Sequence, residues 1–184
     1  MADHSVSPSG PASFDAWEPP ESRLEALAFA IFAVRRTLTQ TLVGLPEGRL
    51  WPEGGEAPGA IARGAWDREW HWLWPAEMEA PALPATPTLV EVLYGLVRHR
   101  AVTEELLMAT DAAALDRAHV SRSAVAEGRS LGEALTHVAL AELADADRLA
   151  RMRAGVEPNW AGAEDLLARA RAAVSQAVNA AGAG

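Results

Sequence analysis

The chain has 184 residues, no cysteine, 25 acidic against 16 basic residues and a formal net charge of −9. That length supports one domain with a full apolar core, and the lack of cysteine excludes disulfide frameworks, zinc–thiolate sites and thiol nucleophiles. The basic residues are all arginine, which fits the composition of a GC-rich genome, and they are spread along an acidic chain, so nucleic-acid binding is not expected.

Residues 1–20, rich in Ser, Pro and Ala, read as a flexible arm; residues 21–181 read as a single helical domain. The first helix opens with a capping box, Ser22 and Glu25, and carries Leu24, Leu27, Ala28, Ile31, Leu38 and Leu42 at helical spacing up to Gly44 and Pro46. The stretch Pro46–Gly59 reads as loop, and a second helix as Pro58–Trp74, stopped by Pro75. A third starts at the Thr88/Glu91 box, with Leu89, Val92, Leu93, Leu96, Thr103 and Leu107 inward. After a loop over 116–128, the Ser130/Glu133 box starts a fourth, with Leu131, Leu135, Val138, Leu149 and Met152 on one face and Gly155 and Pro158 closing it. Asn159 is placed to cap a last helix, with Leu166, Leu167, Ala170, Val174 and Val178 inward. No stretch alternates long enough for a strand.

The order of the pieces LVGLPEGRLWPEGGEAPGAI, TLVEVLYGLVRHRAVTEELLMATDAAALDR and SLGEALTHVALAELADADRLARMRAG resembles the DinB/YfiT-like family of helical bundles over roughly residues 23–155. The last segment stands where that family carries a His-Glu-x-x-His core followed by Leu-Leu-Arg-Gly. The resemblance implies an all-α, antiparallel four-helix bundle with an additional C-terminal helix. It also implies a divalent ion, zinc or nickel, held by three histidines, and a thiol transferase or isomerase activity. At those three places this sequence has Gly64 or Ala65, Ala141 and Asp145. The three-His site is therefore expected to be lost and no cofactor is expected, a metal- or thiol-dependent transferase with substitute ligands being the alternative.

Read from helical spacing alone, Glu69, Arg100, Glu142 and Asp145 fall on inward faces. Buried charges require partners, so these residues are expected to form either a salt-bridged cluster, with Arg100 against Asp145 or Glu142, or a polar pocket for a small ligand. Were a metal held, Glu69, His71, His137, Glu142 and Asp145 are the available donors, although both histidines read more simply as surface or packing residues. His99, between Arg98 and Arg100, reads as a solvated flank. Trp66, Trp70, Trp72 and Trp74 span more than one side of their helix, and a homodimer through that Trp-rich surface is the third reading. No apolar run is long enough for a membrane span and no secretory leader is seen, so a cytoplasmic location and no membrane partner are expected.

Overall fold

The structure is a computed structural model that describes residues 21–43, 45–74, 78–79, 84–119, 128–153 and 161–182, with backbone alone at 47, 161–164, 166 and 181–182. The arm 1–20 and the helix-ending or capping residues Gly44, Pro75, Gly155, Pro158 and Asn159 lie outside the described residues. The helices are α1 (Arg23–Leu42), α2 (Glu47–Leu50), α3 (Pro58–Trp72), α4 (Leu89–Met108), α5 (Leu131–Arg153) and α6 (Ala161–Gly182), with a 3-10 turn at Ala112–Asp116. Among the described residues there is no strand; a lone bridge joins Ala118 to Ser130. No helix of the described residues is long and apolar enough to cross a membrane.

Capping fixes the starts of α1, α4 and α5. In each, the hydroxyl of Ser22, Thr88 or Ser130 accepts from the backbone N–H three residues on, and Glu25, Glu91 or Glu133 accepts in return from the cap's own N–H. α3 starts instead on Pro58 in its first turn, where the missing N–H costs nothing. The segment 46–59, expected as loop throughout, contains the single turn α2. Leu45 just before it and Leu50 at its end are buried in the core, which gives the turn an anchor that Pro and Gly content alone does not reveal.

α1 lies against α4, α5 and α6, α3 lies against α4 and α5, and α5 also packs on α6. The apolar interior is divided in two. One cluster holds Leu27, Ile31 and Val34 of α1, Leu107 of α4, Leu131, Leu135 and Val138 of α5, and Ala170, Ala173 and Val174 of α6. The other holds Leu38 and Leu42 of α1, Ile61, Ala65 and Trp66 of α3, Val92 and Leu96 of α4, Leu149 of α5 and Leu167 of α6.

The division gives each helix a direction. α1 and α5 run from the first cluster to the second, whereas α3, α4 and α6 run from the second to the first. The helices are accordingly of mixed direction: α1 runs opposite to α4 and α6, and α3 opposite to α5, while α3/α4 and α1/α5 are neighbours that run the same way. The sequence allows it because 73–88 is long enough to carry the chain back along α3, a 15-residue helix about 23 Å long at 1.5 Å per residue. On α6, Val178 is 38 % exposed, not inward as its spacing suggested.

Trp66 seals the α3–α4 contact. A Cβ built on Gly95 would sit within 2.6 Å of three carbons of its indole, so α4 can approach α3 only because residue 95 has no side chain. Gly95→Ala is expected to destabilise the protein by about 2 kcal/mol or more through overpacking. Gly64→Ala, where a Cβ meets nothing within 4 Å, should be neutral or stabilising by up to about 1 kcal/mol as a helix-interior glycine replacement. Urea denaturation of the two variants checks the contrast.

Candidate functional site

Between the two apolar clusters lies a polar layer to which four helices contribute. Arg35 comes from α1, Glu69 from α3, His99 and Thr103 from α4, and Glu142 and Asp145 from α5, and all six are buried. Arg35 is the hub. Its Nη2 pairs with Glu69 Oε2 and donates to Thr103 Oγ1 at 3.1 Å, and its Nε stands 3.6 Å from Glu142 Oε2. The Thr103 hydroxyl lies 3.0 Å from Glu69 Oε2 and 3.3 Å from its own helix's His99 carbonyl, and donates to one of them.

Two carboxyl groups and one guanidinium leave a negative charge unless a proton joins them. Burial, and next the neighbouring Glu69 carboxyl, hold Glu142 well above the usual carboxylate range against the pull of Arg35 and Arg68. Glu142 Oε1 has no hydrogen-bond partner, and the neighbouring Glu69 carboxyl favours the protonated form of Glu142. His99 stays uncharged for a related reason. Burial first, then the Arg35 charge, lower its pKa to about 3, although the Trp66 backbone lies near enough to favour protonation slightly. Neither ring nitrogen has a partner in strict hydrogen-bonding geometry. The ring is packed between the indoles of Trp66, edge-on, and Trp74, tilted, each with centroids 4.5 Å away.

Less than one turn further along α5 the layer borders the surface. Asp145 is bonded by Arg68 Nη1 at 2.9 Å and by Arg148 Nη1 at 3.2 Å, and Arg148 also pairs with Glu56. Burial raises the Asp145 pKa while Arg68 opposes it. Above these residues α3, α5 and the loop before α3 enclose a cleft of about 200 Å³, lined by Glu56, Ala60, Ile61, Gly64, Arg68, Asp145 and Arg148.

Glu69, Glu142 and Asp145 thus lie in one layer, but Arg100 does not join them. Arg100 bonds Glu104 on its own helix at 2.8 Å and lies over the Phe32 ring, 37 % exposed. The pairing of Arg100 with Asp145 or Glu142 is corrected: Arg35 and Arg68 hold those places. The cause is a choice of one position on α4, where the inward path from Leu96 to Thr103 runs through His99 and leaves Arg100 on the flank. His99 is correspondingly the most buried of the histidines in the layer's reach, not a solvated flank. His71 is exposed beside Trp70, and His137 is exposed and stacked on Trp72 at 3.8 Å, both away from the carboxyl pair. Of the tryptophans, Trp66 and Trp74 are buried and Trp70 and Trp72 half-buried, so this aromatic surface is largely used inside the chain.

The metal that the resemblance implies does not fit these side chains. Gly64, Ala65 and Ala141 offer no donor, Asp145 is occupied by two guanidinium groups, and no group of three or more His, Asp or Glu among the described residues could hold an ion. Comparison with known proteins finds no matching family, no matching curated protein and no matching solved structure.

Arg35→Met should destabilise the fold by about 3–5 kcal/mol, because it strands Glu69 in a dry interior. Arg35→Met with Glu69→Leu should cost much less than the two single changes summed, as a double-mutant cycle in urea will read.

The buried acid and imidazole set opposite pH responses. The folded state keeps His99 neutral between about 3 and 6.5 while the unfolded chain protonates it, so stability falls with acidification below 6.5 by up to about 1.4 kcal/mol per pH unit for this group. Glu142 is protonated when folded above its usual 4.5, so its contribution is full below 4.5 and is lost as pH rises towards its folded pKa. Stability measured against pH should therefore carry a component that falls as pH rises from 4.5 through the folded pKa of Glu142, present in the wild type and absent in Glu142→Gln, while His99→Phe should remove part of the acid-side slope.

Proposed function

We propose that this chain is a bundle of the DinB/YfiT type that has exchanged the three-His metal site for an ion-paired brace and binds a small polar molecule in the adjoining cleft. The four inner helices meet around a polar layer, and the cleft opens over Asp145 and over Gly64, the latter one of the two residues (Gly64 or Ala65) at which the resemblance puts its first metal ligand. That coincidence carries the reading: where relatives would present a metal, this chain presents Arg68 and Arg148 beside a carboxylate.

The chemistry of the lining narrows the ligand. Arg68 uses Nη1 on Asp145, and a guanidinium has five N–H donors in a fixed plane, a geometry suited to a carboxylate or phosphate. Glu56 and Asp145, in the same lining and paired with Arg68 and Arg148, suit an amine. A volume of about 200 Å³ is below the ~300–1,000 Å³ of drug-sized sites, so the ligand is of amino-acid size, anionic or zwitterionic. Catalysis is not part of the proposal.

Isotope-labelled protein titrated with glutamate, succinate and inorganic phosphate at millimolar concentration tests it. At least one should shift the amide signals of Gly64, Arg68 and Arg148 in a saturable way. Arg148→Ala, which removes a half-exposed side chain, should weaken that binding by roughly tenfold or more with the fold intact. Saturable shifts confined to other residues, or none with any of the three, would overturn the assignment.

A further inference from the structure

The outer side of α4 carries apolar residues that no described residue of the chain covers. Val90, Tyr94, Val97 and Met108 are 74, 63, 59 and 80 % exposed, and Ala101 is exposed between them. With Glu104 these positions step alternately by four and three residues, the seam of a coiled-coil helix. They lie opposite the inward series Val92, Leu96, His99, Thr103 and Leu107. An isolated exposed valine means little, but a continuous stripe along a whole helix marks a contact surface.

We propose that this stripe is a dimerisation seam on which α4 packs antiparallel against α4 of a second copy, with the two-fold axis at Ala101. The charges select that occupant and that direction. Arg98 and Glu105 flank the seam on one side, both are exposed, and neither has an intramolecular ion-pair partner among the described residues. An antiparallel pair centred on Ala101 sets Arg98 of each copy beside Glu105 of the other, twice over by symmetry. It also places Tyr94 over Met108 of the second copy and leaves the small Ala101 at the closest approach. A parallel pair would instead face Glu104 with Glu104 in the seam, a like-charge contact. The contact is one helix wide, so the dimer is weak and depends on concentration. It does not rest on the cleft reading, and its test makes no use of ligand.

Sedimentation of the full chain over a range of concentrations should show a reversible rise towards twice the 19.5 kDa chain mass. Val97→Glu should keep the protein monomeric with an unchanged far-UV circular dichroism spectrum. Arg98→Glu should weaken association by roughly tenfold, and adding Glu105→Arg to it should restore most of the loss. Because the chain has no cysteine, Ala101→Cys provides a clean probe and should oxidise readily to a covalent dimer. A protein that stays monomeric at millimolar concentration overturns the proposal and leaves the stripe to a different partner. Self-association that survives Val97→Glu overturns it too, and failure of the charge reversal to rescue overturns the antiparallel register.

Discussion

Everything inside this molecule is arranged around one guanidinium that must not be left alone. Arg35 sits in the middle of α1 with its charge almost wholly removed from water, a placement that is affordable only beside compensating groups. Glu69, Thr103 and Glu142 provide them from three other helices. Each helix is thereby fixed in depth and rotation at one point, and the apolar residues on either side fall into two separate clusters. Aliphatic side chains tolerate sliding by a turn, whereas a two-nitrogen fork between two carboxyls does not. The brace accordingly contributes register more than net stability, which a well-packed apolar replacement could equal.

The same layer explains why the surface above it is polar. Glu142 and Asp145 are separated by less than one turn of α5, so the first lies in the core and the second at the base of the cleft. Arg68 acts on both carboxyls. A charge arriving in the cleft is therefore felt by the buried acid through a short path of low dielectric. This is the physical sense in which the cleft and the brace form one site even though only the cleft is open to solvent.

Much of the architecture was legible in sequence, and what escaped did so for identifiable reasons. Capping boxes fixed three helix starts because the reciprocal bonds of Ser22/Glu25, Thr88/Glu91 and Ser130/Glu133 are local. Glu69, Glu142 and Asp145 could be placed inward from spacing. Arg35 carries an equally clear signal, lying four residues after Ile31 and three before Leu38 on the inward face, but the apolar residues around it account for the helix without it. His99 against Arg100 is a different case. Spacing permits either on the path from Leu96 to Thr103, and the choice depends on Trp66 and Trp74, which reach His99 from another helix and its following residues. The direction of α3 relative to α4 depends on a long connection whose composition says nothing about where it leads.

The rotation of α4 links the buried chemistry to the outside of the molecule. Thr103 must face Arg35, and Gly95 must face Trp66; together these two contacts leave α4 no freedom to turn about its axis. Once they are made, Val90, Tyr94, Val97, Ala101 and Met108 have to point outward. A turn of the helix by one position would hide part of that stripe but would bring Arg100 or Arg98 into the core in place of His99, adding a second buried cation beside Arg35. Electrostatics in the interior thus dictates which apolar residues remain on the surface, and the exposed seam is a consequence of the Arg35 brace as much as of the residues that form it.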